Sequence, residues 1–190
     1  MLTIAYCAID WKEASEAAAN ATPFTCPPVA AATADIEHVL DKACKADLFY
    51  LNLHGYPNQP YLYGQTNKVI GPTALTVEQI KARRWDGVVI FAEVCFSALD
   101  GGGPIAQAFL DNGAAAFIGS TTEAYGRTRP VTIFDGEADR LMALFRRCYS
   151  PGGNPSRALK KAKRWLRVLS IPLDADDKAT LASFVCLEKK

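Results

Sequence analysis

Histidine is scarce in this chain of 190 residues: there are two, His38 and His54. Neither sits near a pair of cysteines, and the six cysteines (Cys7, Cys26, Cys44, Cys95, Cys148 and Cys186) include no C-x-x-C spacing. That pattern argues against zinc, and no metal or cofactor is expected. Most of the cysteines fall in segments that read as strands or helices, so they are expected to be reduced thiols of a cytoplasmic protein and not a disulfide framework. An excess of charge is also missing. With 21 Lys and Arg against 20 Asp and Glu, there is no global field to draw nucleic acid or an anionic membrane as partner. No apolar run approaches the roughly 20 residues needed to cross a bilayer. Leu2–Ile9 precedes the first charge, Asp10, with no cationic leader, so no signal peptide is expected. Internal repeats and low-complexity segments are absent.

What is present suits one α/β domain spanning residues 1–190. About half the residues are apolar, and a chain of this length buries roughly 70% of its unfolded surface. Leu2–Ile9 reads as a strand, Trp11–Ala21 as a helix, and Thr22–Ala32, with Pro23, Pro27 and Pro28, as a loop. Ile36, Val39, Leu40 and Ala43 recur at helical spacing, predicting an amphipathic helix over Ala34–Ala46 that carries His38 mid-helix. Asp47–His54 is a buried strand. Tyr56–Pro72 is long for a connection and holds a hairpin of Tyr61–Tyr63 against Lys68–Ile70. Thr76 with Gln79 is a capping-box pattern opening a helix to about Arg84. Pro104 and Gly113 bracket a helix over Pro104–Asn112. Ala114–Ser120 is a further strand, followed by the polar loop Thr121–Arg129. Helices over Phe134–Tyr149 and Ser156–Leu169 follow, and Phe184–Leu187 reads as a last strand. The alternation of strands and helices predicts a three-layer sandwich with a mostly parallel central sheet.

The stretch Val88–Gly103, V-V-I-F-A-E-V-C-F-S-A-L-D-G-G-G, organises the rest. Its unbroken apolar run reads as a strand buried on both faces, and Cys95 lies at the strand's C-terminal end, where open α/β sheets place their ligand crevice. His54 closes another such strand, so the two side chains can meet along one sheet edge. A free thiol has a pKa of about 8.5, and an adjacent imidazole raises the thiolate fraction and can protonate a leaving group. The backbone amides of Gly55 and Cys95 are candidate donors to a developing oxyanion. Taken singly, Cys95 also reads as a core thiol and His54 as an ordinary strand-end group. On spacing alone the catalytic and ordinary readings stand level.

The elements L-N-L-H-G (Leu51–Gly55) and V-V-I-F-A-E-V-C-F-S (Val88–Ser97) resemble the caspase-like (clan CD-type) cysteine peptidases. The following I-A-Q-A-F-L-D-N-G-A-A-A-F-I-G-S (Ile105–Ser120) is similar to the gingipain branch. The resemblance covers roughly Asp47–Tyr125. It implies a caspase-like fold, a His54–Cys95 dyad, oxyanion amides from Gly55 and Cys95, and cleavage of a peptide or protein substrate through a thioester. The sequence departs from true caspases, which carry Q-A-C-x-G, so specificity for aspartate is not implied. Glu93, two residues before the nucleophile, corresponds to an acidic position that lines the substrate pocket in legumain-like and metacaspase-like relatives. Recognition of a polar or basic residue follows, against the alternative of a carboxylate hydrogen-bonded to loop amides. Ser120 and Thr121, after the next strand, are candidates for a pocket wall, and Tyr56, Tyr61 and Tyr63 for a substrate groove.

Other readings stay open. A caspase-like fold can serve as a binding or regulatory module without turnover, and an activating partner or a larger parent chain fits such folds. The glycine cluster Gly101–Gly103 lacks G-x-G-x-x-G and a following Lys-Ser/Thr, which disfavours a nucleotide site. The basic residues of Arg157–Arg167 alternate with Leu159, Trp165 and Leu166, reading as a solvated amphipathic helix.

Overall fold

The structure, a computed structural model, describes residues 1–27, 35–124, 138–169 and 175–189. Its elements run in the order β1 (Thr3–Ala8), α1 (Lys12–Ala19), β2 (Phe24–Cys26), α2 (Ile36–Ala43), β3 (Leu48–Asn52), β4 (Tyr61–Thr66) and β5 (Val69–Thr76). They continue with α3 (Val77–Lys81), β6 (Val89–Glu93), α4 (Pro104–Asp111), β7 (Ala116–Ser120), α5 (Ala138–Cys148), α6 (Pro155–Leu169), α7 (Ala175–Ser183) and β8 (Phe184–Glu188). Six strands form one sheet in the order β2-β1-β3-β6-β7-β8, and β4 and β5 form a separate hairpin. The first five strands of the large sheet run parallel, and β8 returns antiparallel to β7.

Both faces of the sheet are covered, which is why its central strands are apolar up to their C-terminal residues, Asn52, Glu93 and Ser120. Alternation sends Phe49, Leu51, Ile90, Ala92 and Phe117 to one face, against Val39 and Leu40 of α2, Ile80 of α3 and Phe109 of α4. Leu48, Tyr50, Val89, Phe91 and Ile118 point the other way, against Ala18 of α1, Leu141 and Phe145 of α5, and Leu159 and Leu166 of α6. Trp85 sits in the first layer with its ring 4.7 Å from that of Phe109 and 5.7 Å from that of Phe49, and its indole N–H donates to the Ile80 carbonyl at 2.9 Å. The mostly parallel α/β sandwich read from the sequence is the architecture found. No helix among the described residues is long and apolar enough to cross a membrane.

The expected capping box is complete: the Gln79 amide donates to Thr76 Oγ1 and the Thr76 amide to Gln79 Oε1. Three local expectations change. Phe24–Cys26, expected within a loop, is an edge strand paired with β1; only three residues long, it has no periodicity to read. The hairpin is much longer than Tyr61–Tyr63 against Lys68–Ile70, because register irregularities near Tyr63 absorb the glycine and proline interruptions. Helix α7 begins well before Leu181, where the sequence left the tail of a helix as the alternative to a strand, and its sequence A-D-D-K-A-T-L-A-S offers no apolar stripe. The start of the helix expected from Phe134 and the far ends of the loops Thr22–Ala32 and Thr121–Arg129 lie outside the described residues.

Candidate active site

Strands β3 and β6 are neighbours, and their parallel register pairs Asn52 with Glu93. His54 and Cys95 therefore stand at the same level, each two residues beyond a registered pair, on backbones roughly 4.8 Å apart where the strands end. Gly55 makes the approach closer still. A Cβ built there would lie 2.8 Å from the Cys95 carbonyl oxygen and 2.5 Å from Val94 Cγ1, so only glycine lets the two strand ends meet this way. Among the described residues neither the Gly55 nor the Cys95 amide donates to a backbone acceptor. A small cleft opens beside them, lined by Gly55, Tyr56, Gln59, Leu62, Cys95 and Ile105 among others.

The chain turns sharply after the thiol. Phe96 adopts φ 57°, a left-handed conformation costly for a bulky side chain. Neighbouring groups hold it: the Phe96 amide donates to the Thr122 carbonyl at 2.7 Å, and the Ala98 amide to the Ser120 carbonyl at 2.8 Å. Ser97 Oγ donates to the Val94 carbonyl and accepts the Ser120 amide. The segment after β7 thus lies against the turn that follows Cys95. Cys95 itself is half-buried, and its Sγ accepts the Ala124 amide at 3.3 Å and faces the Ala124 carbonyl at 3.7 Å. Among the described residues no hydrogen bond joins Sγ to the His54 ring. Burial raises the Cys95 thiol above its ordinary pKa, the Ala124 amide opposes that rise, and the Glu123 charge adds to it.

His54 is held by the β4–β5 hairpin. Its amide donates to the Tyr63 carbonyl at 2.9 Å and its carbonyl accepts the Tyr63 amide at 3.0 Å, an isolated antiparallel bridge. Its ring packs on Trp11, with centroids 4.6 Å apart. Nε2 lies 2.5 Å from Gln65 Oε1, and Gln65 Nε2 donates to Asp10 Oδ2 at 2.9 Å. Sequence reasoning missed Trp11, Gln65 and Asp10. The bridge partner of His54 depends on a hairpin register that the irregularities at Tyr63 hide, so no local signal marks Gln65.

The other candidates are placed differently. Glu93 is only 3% exposed and lies on the α1/α5 side of the sheet, where Tyr50 donates its hydroxyl to Glu93 Oε2 at 2.6 Å and to Asp139 Oδ1 at 3.3 Å. Asn52 joins the same buried cluster through Ser15 and Asp139. Burial and the Glu93 charge raise the Tyr50 hydroxyl well above its ordinary pKa. Ser120 is fully buried, its hydroxyl 3.5 Å from the Glu123 carbonyl. Thr121 is tied through its amide and hydroxyl to the Ser183 carbonyl at the end of α7. Glu93, Ser120 and Thr121 are not among the residues lining the cleft beside Cys95, whereas Tyr56 is. Tyr61 and Tyr63 pack ring against ring, 5.2 Å apart.

The structure thus has a mostly parallel sheet with a thiol and an imidazole on adjacent strand ends. No known protein family and no curated protein matches the chain. Among solved structures, one described as a protease shares the fold with a TM-score of 0.51 at 12% identity, the match covering 98% of this chain and 46% of the protease. A looser match is a secreted C11 cysteine protease from Bacteroides thetaiotaomicron, solved with an irreversible peptide inhibitor. There the TM-score is 0.42 at 16% identity, covering 67% of this chain and 35% of the other. The chain spans less than half the length of either protein.

Proposed function

We propose that this chain is a caspase-like cysteine peptidase domain that hydrolyses peptide bonds with His54 as base and Cys95 as nucleophile. The observation that carries the reading is the β3–β6 register, which sets His54 and Cys95 level at one sheet edge with Gly55 pressed against the Cys95 backbone. In this reading the imidazole takes the thiol proton and sulfur attacks the scissile carbonyl. The Gly55 and Cys95 amides receive the oxyanion, and the departing amine leaves with the proton held on His54. The resulting thioester is then hydrolysed by water, His54 accepting a proton from it, which restores the thiol. Because a raised thiol pKa leaves little thiolate at neutral pH, the reaction depends on that base.

The Ala124 contacts fit a resting state, and substrate or an activating partner then displaces the segment after β7 to free Sγ. For the residue preceding the cut the reading keeps a polar or basic side chain, while Glu93, bonded to Tyr50 beneath α1 and α5, braces the strand end that carries Cys95 and does not line the pocket. Ser120 and Thr121 act in this reading as the frame that carries the pocket wall. Residues 1–190 form one domain of a protein acting in the reducing cytoplasm, as its free cysteines suit. Gingipain-like character is carried by the Ile105–Ser120 segment alone.

The test is a peptide library with Arg, Lys, Asn and Asp before the cleavage point, under reducing conditions, with electrophile labelling mapped to individual cysteines by mass spectrometry. Turnover and labelling at Cys95 are expected for the wild type and neither for Cys95→Ala. Undiminished turnover by Cys95→Ala would overturn the dyad. The bonding of Sγ to Ala124 in place of the imidazole favours a second reading, a binding module without turnover. That reading gains if neither cleavage nor Cys95 labelling is observed.

A further inference from the structure

We infer that Gln65, oriented by Asp10, is a positioning residue that holds His54 as the tautomer protonated on Nε2, leaving Nδ1 as the basic nitrogen. The inference rests on the dyad reading for its catalytic meaning, but its geometry stands independently. Asp10 is an acceptor only when ionised, so the amide group of Gln65 that meets it at 2.9 Å is the NH2 end. The opposite end of the same planar amide, the carbonyl Oε1, then faces the imidazole at 2.5 Å. A carbonyl accepts and does not donate, so the facing ring nitrogen carries the proton. The reverse orientation of Gln65 would set two acceptors against each other at Asp10. Asp10 is kept ionised by its surroundings: the Lys68 amide, the Gln65 amide and the Asn67 amide all donate to it, holding its carboxyl below the ordinary range.

The rest of the setting limits alternatives. The Tyr63 bridge fixes the backbone of His54, and the Trp11 ring covers the imidazole. Asp10 also fastens the hairpin turn itself, since Asn67 and Lys68 are its two turn residues and both have positive φ. A single carboxylate at the end of β1 therefore sets the hairpin that carries Gln65 and the amide that Gln65 presents.

The scarcity of histidine makes the test direct. His38 lies exposed on α2, away from the site, so in a His38→Gln background labelling histidine with 15N reports His54 alone. The expected spectrum shows a protonated Nε2 and a bare Nδ1 at pH above the imidazole titration. In Gln65→Met, which keeps the bulk and loses the acceptor, the tautomers should mix, while Asp10→Asn, which lets the Gln65 amide turn over, should give a partial mixture. The paired variant Asp10→Asn with Gln65→Glu restores a hydrogen-bonded chain with the charge moved next to the ring. It should return the Nε2-protonated form, which a purely structural role would not do. Where the wild type turns over peptide, Gln65→Met should lower kcat on the order of 10²-fold with KM nearly unchanged, as for misplaced catalytic groups. A wild-type His54 protonated on Nδ1, or a Gln65→Met spectrum identical to wild type in a folded protein, overturns the inference. The spectra decide it even in a chain that cleaves no peptide, so its failure and that of the peptidase reading are separable.

Discussion

Gly55→Ala probes the closest approach in the candidate site. The new methyl would begin 2.8 Å from the Cys95 carbonyl oxygen and 2.5 Å from Val94 Cγ1, while ordinary contact starts at 3.4 Å. Val94 Cγ1 is a side-chain atom and can rotate away, but the carbonyl belongs to the backbone of the turn at Cys95. That turn must retreat by about 0.6 Å, the gap between 2.8 and 3.4 Å. It has little room to do so, because Phe96 already sits at positive φ and is bonded to Thr122. Overpacking of this kind costs roughly 1–3 kcal/mol. At about 2–4 °C per kcal/mol for a chain of this size, the melting temperature should fall by roughly 2–12 °C. The loss of reactivity should exceed the loss of stability, since the displaced atoms are those of the Cys95 backbone itself; a fall on the order of 10²-fold in Cys95 labelling is expected. Thermal unfolding by circular dichroism and mass-resolved labelling at Cys95 measure the two effects. Gly71→Ala is the control, because a Cβ there meets only atoms at 3.8 Å or beyond. A Gly55→Ala protein that melts with the wild type and labels at the wild-type rate would refute the argument.

Two stability predictions concern the hairpin. Lys68 occupies the second turn position at φ 63°, where a side chain costs roughly 1–2 kcal/mol and glycine costs little. Lys68→Gly keeps the amide that bonds Asp10 and should raise the urea midpoint by about 1 kcal/mol of stability; an unchanged or lower midpoint counts against that reading. Asp10 has a folded-state pKa below its unfolded one, chiefly through the Lys68 and Gln65 amides. Its contribution is therefore complete above the ordinary carboxylate value and is lost as pH falls through the folded value. Urea unfolding of wild type and Asp10→Asn at a series of pH values should show a constant gap at neutral pH that closes below about pH 4. A gap that persists undiminished in acid contradicts the assignment.

Much of the architecture was legible because burial on both faces leaves a strong mark. Leu48–Leu51 and Val89–Ala92 are apolar throughout, and the helices around Leu40 and Phe109 repeat at helical spacing. The placement of His54 and Cys95 just beyond adjacent strand ends was legible for the same reason: each follows such a run, and parallel strands align their ends. What could not be read depends on register and layer. Glu93 shares its strand parity with Tyr50 and Asn52, but which helices cover that face decides whether its carboxylate meets solvent or Tyr50, and here α1 and α5 close it off. Gln65 and Asp10 meet His54 only through an irregular hairpin whose pairing no local pattern encodes. Phe24–Cys26 was hidden by its brevity and by the prolines beside it.

The adjacency of β3 and β6 has a consequence for the protein before it is folded. These strands are distant in sequence and become neighbours only once the hairpin between them has been looped out and the central sheet has closed. Pairings of that kind form slowly, because chain entropy must be lost before the contact is gained. A nascent or partly unfolded chain carries the same thiol and imidazole but no shared edge to align them. The alignment of Cys95 with His54 is thus a property of the completed sheet, and it is absent from the polypeptide while the chain is still being made.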